Sequence, residues 1–434
     1  MASKINIYHQ DVAWLEGLAN IKRKNYLLGP KSRKIFIIRL QKFLDLVANP
    51  EKKLKFIHVT GTAGKGSTVN LLQNMLIDAG FKVGSYTSPF ATTTIEKFRV
   101  NHHLIDPKIL HDILNQQIKP ALDKYVTLHK TDVPSYFELC TTIALLYAVR
   151  EKCDWMILEA GLGGRHDATN VIPAPVVSAI TNIGLDHTEI LGPTKKDIAT
   201  DKAGVIKKSS YFLTSETDQK LVNIFKKTCA KKRAKFIALK NLAQNIKGGQ
   251  YFSTPKQKTN LNLVLNILEV LNIQPKNPQE VINNFHLICR QEIIQTNPRV
   301  ILDGAHNVDK LNNLIEFIKT QKYQKLHLIF GAAEDKHYLP ALKKLLPQVD
   351  FLYLTRFDNP FRKSASLKTL FTQCEILTTI KISVWHDSQL ALESALKNAK
   401  PKDLVVVTGS FFLAGSLREH WIDEEQITQK LKTK

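Results

Sequence analysis

No Cys-x-x-Cys pair occurs in these 434 residues, and the five cysteines (Cys140, Cys153, Cys229, Cys289 and Cys374) are widely scattered. That spacing argues against a disulfide framework or a structural zinc site and suits a reducing compartment. Long hydrophobic runs are missing too. The longest, around Leu139–Val149, is interrupted by Thr141 and Thr142 and is too short to span a bilayer. The opening MASKINIYHQDVAWLEGL has no apolar stretch ending in a small-residue cleavage site, so a soluble, cytoplasmic protein without a membrane partner is expected. Solenoid repeats and low-complexity tracts are absent. Acidic residues are scarce: 39 Asp and Glu stand against 61 Lys and Arg, a net charge of +22. Such an excess favours anionic partners, among them nucleotides, small polyanions, nucleic acid and acidic lipid, without choosing among them.

What is present is ordinary for a globular chain. Apolar residues make up 44% and charged residues 23%, and the length suits two or three domains. Short apolar runs alternate with glycine- or serine-containing turns and amphipathic segments. KFIHV (55–59), DWMILE (154–159) and VVSAIT (176–181) read as buried strands. After the first, Val69, Leu72, Leu76 and Ala79 share one helix face, which Gly80 ends. Strands flanked by helices predict a parallel sheet covered on both faces. The pattern restarts after Asn297–Pro298 with RVILD (299–303), LHLIF (326–330), FLYLT (351–355) and DLVVVTG (403–409). Two α/β domains are expected, 1–296 and 297–434.

Between Asp218 and Glu269 no acidic residue occurs, while Lys226, Lys227, Lys231, Lys232, Arg233 and Lys235 crowd together. This stretch is either a solvated helix face or an anion-attracting surface. Without interleaved aromatics to stack bases, nucleic acid is not the expected partner.

Three segments carry chemistry. VTGTAGKGST (59–68) lies between a predicted strand and a predicted helix, where backbone N–H groups and a helix N-terminus can face phosphate oxygens. Gly61, Gly64 and Gly66 allow close backbone approach, Lys65 adds charge, and Ser67 and Thr68 suit magnesium or phosphate. The strict G-x-x-x-x-G-K-[ST] spacing is not met, because Val59 stands five before Gly64. ILEAGLGGRHDATN (157–170) puts Glu159 at a strand's C-terminal end, where it could hold a metal or pair with Arg165. ITNIGLDHTEILGPTKKDIATDKAGVIKK (180–208) brings Asp186 and His187 after another strand, either as structural hydrogen-bonders or as ligands. Lys202 there faces Ala199, Ala203 and Gly204. On composition alone an ordinary surface lysine is the favoured reading.

GTAGKGST, TSPF, SYFE, LEAGLGGRHDATN, GLDHT with DKAG, RQ and DGAHN, in that order, resemble the folylpolyglutamate synthase and dihydrofolate synthase family of the Mur-ligase superfamily. The resemblance runs from about residue 20 to about residue 419. It implies an N-terminal P-loop ATPase-type parallel-sheet domain and a smaller C-terminal Rossmann-like α/β domain. It implies an ATP-dependent, ADP-forming ligase that joins L-glutamate to dihydropteroate or a folate through an acyl phosphate. ATP would contact Gly61, Thr62, Gly64, Lys65, Gly66, Ser67, Thr68, Asn260, Arg290 and Asp303, with His306 shaping the site. Two Mg2+ ions would take Ser88, Glu159, His187 and a carbamylated Lys202, and Lys65, His187 and Lys202 would be catalytic. The pterin side maps to Ser135, Tyr136, Phe137 and Glu138, with Arg165 and His166 beside it. The family is usually monomeric. Three departures bear on substrate preference: Ala63 where Asn is usual, Phe90 for His, and Lys97 for Arg. Alternatives of other kinds are a nucleic-acid-associated P-loop ATPase, a Mur-type ligase for another acid, and a binding protein that has lost catalysis.

Overall fold

The computed structural model describes residues 2–18, 34–130, 133–244, 246–359 and 362–431. The start of the family resemblance, from about residue 20 to residue 33, lies outside them. The first eight strands are β1 (Phe56–Thr60), β2 (Val83–Tyr86), β3 (Phe98–Val100), β4 (His103–Leu104), β5 (Trp155–Glu159), β6 (Val177–Ile180), β7 (Tyr211–Thr214) and β8 (Lys235–Ile237). They form one sheet in the order β4-β3-β2-β5-β1-β6-β7-β8. Every neighbour pair is parallel except β2 with β3 and β3 with β4. The central strands β1 and β5 are buried along their whole length, which is why they read as predominantly apolar runs, with His58, Thr60 and Glu159 as the buried polar exceptions.

Both faces are covered. On one, Leu72, Met75 and Leu76 of the helix Lys65–Asp78 pack with Leu263, Val264 and Ile267 of the helix Pro255–Leu271. On the other, Leu40, Phe43 and Leu44 of the helix Lys34–Leu46 meet Leu139, Ile143 and Leu146 of the helix Tyr136–Arg150. The helix Gln219–Lys232 buries Leu221, Phe225 and Cys229 and leaves Lys226, Lys227, Lys231 and Lys232 exposed. Those lysines form a solvated face.

The second sheet holds β9 (Glu292–Thr296), β10 (Arg299–Leu302), β11 (Leu326–Phe330), β12 (Phe351–Leu354), β13 (Ile382–Val384) and β14 (Leu404–Thr408), in the order β13-β12-β11-β14-β10-β9. Only β9 runs antiparallel. Its strand, beginning at Glu292, belongs to this sheet although it precedes residue 297. It pairs as a hairpin with β10 across Asn297–Pro298, so the second sheet begins before residue 297. Among the described residues no helix is long and apolar enough to cross a membrane.

The C-terminal ends of the central strands of both sheets meet across a cleft of about 840 Å³. Asp186, beyond β6, accepts from Lys336 Nζ and Asn307 Nδ2 of the second half, each at 2.9 Å. Asn182 Nδ2 donates to Asp309 Oδ2 at 3.4 Å. Open α/β sheets hold ligands at such strand ends. Here two of them share one space.

Candidate active site

The glycine-rich loop leaves β1 at Thr60 and enters the helix at Lys65. The end of β6 braces it: Thr62 N donates to Asn182 O and Ala63 N to Asn182 Oδ1, both at 2.9 Å. Gly64 has φ +85°, and a Cβ there would stand 2.6 Å from Asn260 Oδ1. Only glycine fits that turn, which brings Asn260 of the helix Pro255–Leu271 directly onto the loop. Ser67 Oγ meets Tyr251 Oη at 2.7 Å. Thr68, expected at the nucleotide, is instead buried. Its hydroxyl has no hydrogen-bond partner among the described residues, because the helix turns it into the core.

Beside the loop lie a buried carboxylate and a buried amine. Glu159, at the end of β5, receives one long hydrogen bond, from Ser88 N at 3.4 Å. Burial raises its pKa, against the opposing pull of Lys65. Lys202 closes the helix Lys195–Lys202 and donates to the Gly61 carbonyl at 3.0 Å. Lys65 Nζ donates to the same oxygen at 3.0 Å. Two ammonium groups thus share one acceptor. Burial, then the charge of Lys65, brings Lys202 down to about 7. His187 sits in the left-handed region at φ +53°, and burial holds its imidazole neutral, down to about 3, despite Asp186.

This donor set suits magnesium in part. Glu159 is an under-satisfied buried oxygen donor beside the Ser88 backbone, and His187 is a neutral nitrogen donor. Among the described residues no three His, Cys, Asp or Glu side chains converge on a ready-made metal cluster.

The other end of the cleft is aromatic, lined by Phe36, Phe90, Tyr136 and Phe137. A Cβ on Gly161 would lie 2.4 Å from Phe137 Cζ, so this glycine lets the loop after β5 run against the ring. Ser135 caps the helix Tyr136–Arg150 in a reciprocal box with Glu138. Glu138 also binds Arg39, with Nε at 2.9 Å and Nη2 at 2.5 Å. Its carboxylate therefore holds the wall through Arg39 and the Ser135 cap. Arg39→Met should destabilise the fold by about 3 kcal/mol, because it leaves a buried carboxylate unpaired. A denaturant midpoint shift at unchanged slope would measure it, and no shift would deny the pair this role.

His166 lines the cleft, whereas Arg165 is exposed and outside it. Its guanidinium donates to Thr200 O at 3.3 Å and makes no ion pair with Glu159. The reason is packing: a Cβ on Gly204 would meet Arg165 Cα at 2.4 Å, so the Arg165 backbone lies flat on the turn after Lys202 and its side chain leaves outward. Two of the departures touch each other. Buried Lys97 donates to Tyr136 Oη at 2.5 Å and lies 4.2 Å from the Tyr136 ring and 5.1 Å from that of Phe90. An aromatic face stabilises the ammonium where an imidazole would compete with it.

The second half contributes Arg290, over the Phe411 ring at 4.4 Å, and Asp303, which accepts from Gln291 N at 2.9 Å and Ala305 N at 2.7 Å. Tyr251, Lys310 and Lys336 also line the cleft and were not singled out from sequence. A lysine or tyrosine in an amphipathic stretch carries no mark of its partner across the chain.

Comparison with known proteins agrees with this geometry. Residues 59–274 match the Mur ligase middle domain and residues 289–411 the Mur ligase glutamate ligase domain. The chain is 30% identical over 414 residues to a Bacillus subtilis dihydrofolate synthase/folylpolyglutamate synthase, covering 88% of this chain and 94% of that one. The crystal structure of a Thermotoga maritima folylpolyglutamate synthase is similar at 28% identity and a TM-score of 0.78, over 95% of this chain and 96% of that one. Escherichia coli FolC in complex with DHPP and ADP is 25% identical with a TM-score of 0.76, over 94% and 97%.

Proposed function

Because the chain belongs to the dihydrofolate synthase/folylpolyglutamate synthase family of Mur ligases, we propose that its cleft joins L-glutamate to dihydropteroate, to a reduced folate, or to both, at the expense of ATP. The observation that carries this reading is the convergence of Lys65, Glu159 and Lys202 around the glycine-rich loop, in a cleft whose far end is aromatic.

A carboxylate is a poor electrophile, so the γ-phosphoryl group of ATP moves onto it, giving an acyl phosphate and ADP. The glutamate amine then attacks the acyl carbon, and phosphate leaves. Positioning and charge neutralisation supply most of the acceleration. The loop amides from Gly64 to Ser67 and Lys65 take the phosphates, with Asn260, Arg290 and Asp303 holding the nucleotide from the facing walls. Tyr136, Phe137 and His166 take the ring system of the acid. Lys202, near-neutral at physiological pH, adds CO2 to become an anionic oxygen donor. Ser88, Glu159, His187 and the modified Lys202 would hold magnesium, which would supply Lewis-acid neutralisation of the phosphoryl oxygens. Closure of the 297–434 half over the nucleotide shields the acyl phosphate from water.

The proposal includes action as a cytoplasmic monomer. The exposed lysines of the helix Gln219–Lys232 line no part of the cleft, which leaves a nucleic-acid-driven ATPase without structural support.

The test is phosphate release from ATP with glutamate plus either dihydropteroate or tetrahydrofolate. Release with at least one acid, matched one-to-one by the glutamyl product, is expected. Release that needs neither acid, or that nucleic acid stimulates instead, overturns the reading.

A further inference from the structure

The helix Val308–Lys319 starts at the cleft, capped by the Asn307 side chain, which accepts from Lys310 N at 3.0 Å. The Lys310 side chain stands part-buried on the cleft wall opposite the glycine-rich loop. Its Nζ lies 3.1 Å from His306 Nε2, while His306 Nδ1 lies 2.9 Å from the Gly304 carbonyl. A carbonyl can only accept, so Nδ1 carries the proton and Nε2 is a lone pair aimed at the ammonium. His306 is therefore a positioning residue that fixes where Lys310 points.

Lys336, one helix away, has its countercharge in Asp186 at 2.9 Å. Lys310 has none: among the described residues no carboxylate stands at ion-pair distance from it. Burial, then repulsion by Arg290 and Lys65, pushes its pKa well below the usual lysine value, and in its protonated form its charge reaches the Glu159 and Asp303 carboxyls. Three cations from both halves of the chain thus face one volume that contains buried Glu159. Such crowding is unfavourable until a polyanion enters.

We propose that Lys310 is a contact for the terminal phosphate of the bound nucleoside triphosphate, reaching it from the half opposite the glycine-rich loop with His306 as its positioner. This rests on the nucleotide reading above. The loop amides serve the inner phosphates from one side, and Lys65 reaches the β- and γ-phosphates from that same side. The group to be transferred is the one beside Glu159, and Lys310, without a carboxylate partner among the described residues, faces it from the other side. It follows that the second half senses the third phosphate directly, so that closure over the nucleotide distinguishes a triphosphate from a diphosphate.

The test is calorimetric titration of the full chain with magnesium and either ADP or the β,γ-methylene analogue of ATP. In Lys310→Met, affinity for the analogue should fall about tenfold or more, as for loss of one charge-assisted hydrogen bond, with ADP affinity changed less than about twofold. Lys310→Gln should show the same split, and Lys310→Arg should recover affinity for the analogue. Equal losses for both nucleotides, or no loss for either, overturn the assignment. Failure of the unmodified protein to bind either nucleotide overturns the nucleotide reading itself.

Discussion

Lys202→Ala is expected to lower glutamate-dependent phosphate release by about 10³-fold or more, with short carboxylates such as formate or acetate restoring part of it. The size follows from two facts. Lys202 is buried beside the phosphate loop, and burial with the Lys65 charge holds its amine near neutrality, at about 7. A neutral amine adds CO2, and the resulting carbamate reverses the sign of the charge at that point. Alanine leaves neither charge, and a small carboxylate diffusing into the vacated space can stand in for the carbamate. The sign of the pH dependence is fixed as well. Below pH 7 the amine is increasingly protonated and cannot add CO2, so activity falls on the acid side, and added bicarbonate should soften the fall. A direct readout is the carbamate carbon signal after equilibration with ¹³C-bicarbonate, present in the unmodified chain and absent in Lys202→Ala. Full activity in the unrescued variant would remove Lys202 from the mechanism.

Lys65→Met should be comparably severe, about 10³-fold in kcat/KM or near 4 kcal/mol, and should carry a second signature. Lys65 and Lys202 donate to the same carbonyl, that of Gly61. Removing the Lys65 ammonium removes the main charge that depresses the Lys202 amine, so the pKa of Lys202 rises. At neutral pH less of the amine is then free to add CO2, and the ¹³C carbamate signal should reach half-maximum at a higher pH than in the unmodified chain. A loss confined to nucleotide binding, with the carbamate titration unmoved, would show that the shared carbonyl has no electrostatic consequence.

The family departures acquire a physical meaning in the folded chain. Phe90 and Lys97 each read as a loss in sequence, one of an imidazole and the other of a bidentate guanidinium. In the structure they meet around Tyr136, so a single cation among aromatic rings replaces two basic groups. Ala63 has its backbone N–H on Asn182 Oδ1, so the side-chain amide missing from position 63 has a neighbouring asparagine on the loop.

Strand and helix order was legible in the chain itself, because buried parallel strands such as Met156–Leu158 and Val405–Val407 are apolar on both faces and their covering helices amphipathic. The glycine-rich loop was legible for a related reason: a backbone turning tightly between strand and helix needs residues without Cβ, as Gly64 against Asn260 shows. The placement of Glu159 and Lys202 was legible only through ordered motifs, since a lone acid or lysine looks the same at a surface. Tertiary structure alone decided the rest. It turned Thr68 inward and Arg165 outward, committed Glu138 to Arg39, and left Lys310 without a countercharge among the described residues. Each outcome depends on which atom from another part of the chain stands opposite, and charge and packing between distant segments leave no local pattern in the order of amino acids.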